Sequence, residues 1–200
     1  QSDNDSIFGG LGDDSLIGDL GFDVLQGNAG NDTLDGGLHD DVMNGGAGND
    51  TLLGGDGYDQ FQVVGAEAEY DVMNGGNNTD TVVNIGGSAV TLNGFLSGSN
   101  SLEGWNGAGF AIQGNSLNNT FNFQLLSLSG VPFIDGGAGD DHITGTNGVD
   151  DLRGGAGNDT IFGLGGTDTI FGGADNDSLN GGDGIDNLYG EDGVDTITTD

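Results

Sequence analysis

Asp14, Asp23, Asp32, Asp41, Asp50 and Asp59 stand nine residues apart, and Asp80 rejoins the series after an interruption. Asp141, Asp150, Asp159, Asp168, Asp177, Asp186 and Asp195 repeat the spacing later in the chain. Each is preceded by a stretch rich in Gly and Asn and followed, two residues on, by a large apolar side chain such as Leu16, Leu25 or Ile143. A carboxylate closing a glycine-rich turn is one oxygen ligand, and the carbonyls of that turn are others. Such a set suits a hard cation, because calcium takes six to eight oxygens in a forgiving geometry. Competing chemistries find less support. The adjacent pairs Asp13-Asp14, Asp40-Asp41 and Asp140-Asp141 have the composition of a glycosidase site, but other copies carry Asn at the first of the two places, so the pairs read as turn variants. His39 replaces a turn glycine and His142 falls in an apolar-periodic stretch of the other run, so neither zinc binding nor a Ser-His-Asp triad is expected. No catalysis is expected in these 200 residues.

The elements that must position these carboxylates follow from the period. Read in nines from Gly9, the chain gives GGLGDDSLI, GDLGFDVLQ, GNAGNDTLD, GGLHDDVMN, GGAGNDTLL and GGDGYDQFQ. A three-residue slip at Val63-Val64-Gly65 leads to a degenerate unit and to GGNNTDTVV, which ends at Val83. From Gly136 the period returns without a break, as GGAGDDHIT, GTNGVDDLR, GGAGNDTIF and four more units. Positions seven to nine suffice for a short strand, and the six residues before them make a turn, since Gly and Asn reach positive φ at little cost. Positions six and eight are two apart, so in extended chain both point to one side. The Asp therefore faces inward at the edge of the turn and the apolar residue faces into a core. Asp71 is left out of the candidate set because its turn, Ala66 to Tyr70, has no Gly.

This pattern resembles the RTX family of calcium-binding nonapeptide repeats, GGxGxDxUx with U a large apolar residue. The resemblance covers residues 5 to 83 and 136 to 198. It implies an all-β parallel β-roll, or β-solenoid, with two strands per coil and Ca2+ in the turns. Each ion would lie between turns 18 residues apart, held by loop carbonyls and by the Asp of both. Applied here, that register gives nine well-formed sites and eleven coils. The metal candidates are thus Asp14, Asp23, Asp32, Asp41, Asp50, Asp59, Asp80, Asp141, Asp150, Asp159, Asp168, Asp177, Asp186 and Asp195. The resemblance also implies secretion and a place outside the cell.

Composition bounds the rest. The chain carries 33 acidic residues against one basic residue, Arg153, with 45 Gly and no Cys, for a net charge of −32. Nucleic acid and anionic membranes need basic residues to meet their phosphates, and no apolar run approaches the ~20 residues of a membrane span. High charge and low hydrophobicity describe a disordered chain, so calcium binding is expected to be part of the folding free energy. Residues 84–135 separate the two blocks, 1–83 and 136–200, and hold only two acids, Glu103 and Asp135. They include Trp105, Phe110, Phe121 and Phe123, and GNSLNNTFN from Gly114 is a degenerate unit with Asn119 at the Asp position. A largely metal-free stretch of the same solenoid is expected there, with a partner or glycan patch around Trp105 as the functional alternative. Three roles remain open. The chain is a calcium-dependent structural module of a secreted bacterial protein; or it is a subunit stacking head-to-tail into a filament or surface layer; or it is an accessory module of an exoenzyme or adhesin. Thr199-Asp200 followed by Gln1 to Asp5 would nearly complete a turn, and this motivates the second.

Overall fold

The computed structural model describes residues 3–64, 71–91, 94–96 and 102–199. Its strands are all parallel to their neighbours and no helix occurs among the described residues. In the first block, strands alternate between two sheets. One contains Ser6–Leu11, Val24–Ala29, Val42–Ala47 and Gln60–Val63, and the other Ser15–Leu20, Thr33–Leu38, Thr51–Asp56 and Val72–Asn77. Ser6 pairs with Val24 and Ser15 with Thr33, so one coil is 18 residues and each nonapeptide is half of it. The second block repeats this with Asp151–Ala156, Thr169–Ala174 and Asn187–Asp192 on one face and Thr160–Gly166, Ser178–Gly184 and Thr196–Thr198 on the other. Two strands per coil therefore hold in both blocks. The strands are longer than three residues, since they run on through the first positions of the following unit.

The slip is absorbed by one longer coil. Thr51 pairs with Val72 and Gln60 with Thr81, at a separation of 21 residues. The Ala66–Tyr70 turn lies outside the described residues.

Between the blocks the coil gains a side. The first sheet continues through Thr81–Asn84, Gly104–Asn106 and Ser127–Ser129, while two further sheets begin at Val90–Thr91 and Gly94–Leu96. These pass through Ile112–Gln113 and Thr120–Asn122 to Ile134–Ala138 and His142–Thr144, and then become the two faces of the second block. The described strands thus make four two-stranded coils, three three-stranded coils and three two-stranded coils. Ten coils, not eleven, result because a three-sided coil takes 22 or 23 residues. At the usual strand spacing the roll is about 48 Å long.

Position eight forms the core as the alternation requires. Leu16, Leu34, Leu52 and Met73 are buried along one sheet and Leu25, Met43, Phe61 and Val82 along the facing one, and Ile143, Leu152, Ile161, Ile170 and Leu179 continue the same core in the second block. The three-sided coils need larger side chains to fill them. Trp105, Phe121 and Phe123 do so, with Phe123 edge-on to Trp105 at 6.5 Å and 6.1 Å from Phe121. Trp105 is 1% exposed, so its ring is core and presents no surface to a partner.

Candidate metal centre

Each repeat places its Asp at the inner edge of a turn, where the two carboxylate oxygens do different work. Oδ1 accepts the backbone N–H of the equivalent Asp one coil earlier. Asp14 N–H donates to Asp32 Oδ1 at 2.8 Å, Asp32 to Asp50 at 2.8 Å and Asp159 to Asp177 at 2.8 Å. Oδ2 is left over. In Asp14, Asp23, Asp32, Asp41, Asp50, Asp59, Asp80, Asp141, Asp159, Asp168 and Asp177 it is buried with no hydrogen-bond partner. A buried carboxylate oxygen without a hydrogen-bond partner is costly, and its repetition at one phase of the period suits binding of a hard cation.

The surroundings of that oxygen fit a cation. Oδ2 lies against the first glycine of its own repeat, together with a carbonyl oxygen of the next coil. A Cβ on Gly9 would come 2.7 Å from Asp14 Oδ2 and 2.8 Å from the Gly27 carbonyl oxygen. At Gly136 the same place is shared by Asp141 Oδ2 and the Gly154 carbonyl, and at Gly172 by Asp177 Oδ2 and the Gly190 carbonyl. Glycine is required at position one because any side chain would occupy the space where these oxygens converge. No group of three or more His, Cys, Asp or Glu side chains gathers among the described residues. This follows from the design, in which backbone carbonyls supply the other hard oxygens that calcium prefers.

Electrostatics give the same account. Burial, with like charge from Asp59 and Asp23, pushes Asp41 up to about 7, against the opposing hydrogen bond from Asp23. Burial likewise raises Asp159 to about 7 and Asp168 to about 6, with further repulsion from their stacked neighbours. Burial is the main cause of these shifts, and a nearby cation would oppose it by favouring the charged carboxylate.

The candidates do not all stand alike. The slip leaves the stack intact, since Asp50 N–H donates to Asp71 Oδ1 at 2.9 Å and Asp59 N–H to Asp80 Oδ1 at 2.8 Å. Asp71, omitted from the sequence set, therefore belongs to the file. Asp186 and Asp195 receive Asp168 and Asp177 N–H in the same way but are only half-buried at the end of the roll. Asp150 occupies the equivalent place, yet its Oδ2 accepts hydrogen bonds from Thr146.

Two features escaped the sequence analysis. Glu103 does the work of the repeat Asp in a three-sided coil, accepting Asp80 N–H at 2.7 Å through Oε2. The signal was Glu103-Gly104-Trp105, an acid two residues before a core side chain. Position five forms a second, outer ladder: Asn31 N–H donates to Asp13 Oδ1 at 2.8 Å, Asn49 to Asn31 at 2.9 Å and Asn158 to Asp140 at 2.8 Å. In each adjacent pair, then, Asp13, Asp40 and Asp140 are exposed while their neighbours face inward. They cannot act together as an acid and a base. His39 holds the position-four turn at φ 84° in place of Gly. Arg153 pairs with Asp151 at 2.9 Å and lies over the Phe133 ring at 3.9 Å.

The family model described as the RTX calcium-binding nonapeptide repeat, in four copies, matches residues 1–25, 17–52, 26–61, 133–150, 144–179 and 171–200. The chain belongs to this family. The RTX matches fall on the two blocks whose turns hold the unpartnered oxygens and leave out most of the three-sided coils. RTX repeats bind Ca2+, and the fold they build is a structural repeat and not that of a catalytic family. A search of curated proteins found no match. No helix among the described residues is long and apolar enough to cross a membrane.

Proposed function

We propose that this chain is an extracellular, calcium-dependent structural module of a secreted bacterial protein, which folds when it meets calcium. The ions would be held by Asp14, Asp23, Asp32, Asp41, Asp50, Asp59, Asp80, Asp141, Asp159, Asp168 and Asp177, with Asp186 and Asp195 at the exposed end. The observation that carries this reading is the file of buried Oδ2 atoms without a hydrogen-bond partner, most of them beside a carbonyl oxygen of the next coil. Bound calcium would supply the countercharge they lack. The chain's own part is to hold each carboxylate through Oδ1 and to keep the space open with glycine. Ions that bind only the folded state stabilise it by mass action, and the effect accumulates over many sites. Extracellular modules with millimolar affinity would stay empty and unfolded in a cytosol and fill outside it.

The test is far-ultraviolet circular dichroism with calorimetric titration of calcium into the chelated chain. A rise from coil to β signal with binding of many ions is expected. A full β signal in excess chelator would overturn the proposal.

In the same reading the roll is a rod that stacks end to end. The outer edges of Ser6–Leu11 and of Asn187–Asp192 pair with no other described strand, and such edges add further strands readily. Electron microscopy with and without calcium decides this: calcium-dependent filaments are expected, and dispersed monomers at all concentrations would exclude it.

An accessory or glycan-binding role draws on a different feature. A groove of about 420 Å³ opens beside Asp135, Arg153, Phe171 and Glu191, and Phe171 and Tyr189 stack at 4.9 Å next to it. Titration with neutral polysaccharides tests it, with loss of binding in Tyr189→Ala as the expected mark of this site.

A further inference from the structure

Turn 145–150 has the glycine at positions one and four and the Asp at position six that the repeat asks for, in Gly145, Gly148 and Asp150. Its second position differs. That position takes a positive φ in the regular turns whatever residue stands there: 99° at Gly137, 112° at Gly155, and also 81° at Asn28, 79° at Leu164 and 71° at Glu191. A β-branched residue is the least able to follow, because both branches of its side chain crowd the backbone there. Thr146 stays out of the left-handed region. Gly148 stays out of it too, although Gly139, Gly157 and Gly166 at the same position enter it at 116°, 126° and 132°.

The turn then closes on itself. Thr146 N–H donates to Asp150 Oδ2 at 2.7 Å, the Thr146 hydroxyl donates to the same oxygen at 3.0 Å, and Gly148 N–H donates to Thr146 Oγ1 at 2.9 Å. Two donor hydrogens thus face the oxygen that has no partner in Asp141, Asp159 and Asp168. They supply the compensation that a cation supplies elsewhere, and they present positive charge where the cation would sit. The Asp150 backbone still follows the file, its N–H donating to Asp168 Oδ1 at 2.9 Å. Turn 114–119 reaches the same end without a carboxylate. Asn115 N–H donates to Asn119 Oδ1 at 3.0 Å and Asn119 Nδ2 donates to Asn115 Oδ1 at 3.2 Å, with Asn115 likewise outside the left-handed region.

We propose that Thr146 closes turn 145–150 to calcium, so that Asp150 is a hydrogen-bond acceptor within the turn and not an ion ligand. Thr146 is then the residue that decides which of two outwardly alike turns takes an ion. The proposal rests on the calcium reading above and refines it.

The experiment is a count of bound Ca2+ per chain by equilibrium dialysis and calorimetry. It compares the wild-type chain with Thr146→Gly, Asp150→Asn and Asp159→Asn. Thr146→Gly restores a residue free to take positive φ and removes the hydroxyl, so one more ion per chain is expected. Asp150→Asn should lose none, because Asn119 shows that an amide satisfies this kind of turn, while Asp159→Asn should lose at least one. An unchanged count in Thr146→Gly, or an ion lost in Asp150→Asn, overturns the proposal. If Thr146→Gly does not fold in calcium, the Asp150→Asn count alone decides. A wild-type chain that binds no calcium would instead overturn the calcium reading itself, and the two failures are told apart by that first measurement.

Discussion

Coils of 18 residues at both ends of the roll and coils of 22 or 23 residues in its middle stack in one continuous run of parallel strands, yet different forces close them. In the blocks, each coil has two sides, one apolar side chain per strand and, at most turns, a buried carboxylate oxygen without a hydrogen-bond partner. In the middle, each coil has three sides, the core takes in Trp105, Phe121 and Phe123, and turn 114–119 is satisfied by amide hydrogen bonds. In the three-sided coils larger side chains fill the core and fewer acids stand at the turns. Where the chain buries less, it carries the repeat acids, which on the proposed reading make folding conditional on an ion.

Removal of calcium is the largest perturbation that could break this contrast. With excess chelator, hydrogen exchange should lose amide protection throughout the two blocks while Ile112, Phe121 and Phe123 keep some, since their burial owes nothing to an ion. Uniform loss across the chain would show that the three-sided coils depend on the blocks for their stability.

A core truncation probes the other side of the comparison. Phe123→Ala should cost about 3–5 kcal/mol, the usual penalty for an emptied aromatic core position. Because the penalty falls on the three-sided coils, it should appear as lost protection there even at saturating calcium. Leu34→Ala, in an 18-residue coil, should cost about 2–5 kcal/mol, and it should also raise the calcium concentration at which the first block folds.

Those contrasts could be read only partly from the sequence. The nine-residue period reported the blocks well, because positions six and eight are tied to one face by strand geometry, and Asp23, Leu25 and their equivalents lie where that geometry puts them. The apolar cluster containing Trp105 reported a core but not its shape. A third side arises from how many residues lie between successive strand pairings, such as Thr81 with Gly104, and no local pattern marks those pairings. The ion site itself was half legible. The carboxylate and its spacing were visible, but the division of labour between Oδ1 and Oδ2 depends on a neighbour 18 residues away. The closure of Asp150 by Thr146 depends on a backbone angle that Thr disfavours.

Acid sharpens the comparison with a milder effect. An unfolded Asp titrates near 3.8, whereas in the ion-free fold burial holds Asp41, Asp71 and Asp159 at about 7 and Asp80 and Asp168 at about 6. The folded state therefore keeps protons that the unfolded chain releases, and its stability without calcium falls as pH rises from about 4 to about 7. The sign predicts that lowering the pH from 8 to 5 in chelator restores part of the β signal of the blocks. With calcium present, the same change should weaken binding, because protons then compete for the same oxygens. A metal-free chain whose β content is flat across this range would contradict it.

The smallest effect is expected at the outer ladder, where the blocks are held by neither ion nor core. Asn31 accepts the backbone N–H of Asn49 at 2.9 Å and donates its own to Asp13 at 2.8 Å, all at the exposed edge of the turn. Asn31→Ala removes the acceptor and leaves the Asn49 N–H to water, so the loss should lie near the lower end of the ~0.5–1.5 kcal/mol of an ordinary hydrogen bond. Calcium stoichiometry should not change, since Asp32 keeps its contact with Asp14 N–H. A lost ion in Asn31→Ala would mean that the outer ladder sets the spacing of the turns closely enough to shape the metal site, and the two carboxamide and carboxylate files would then have to be treated as one structure.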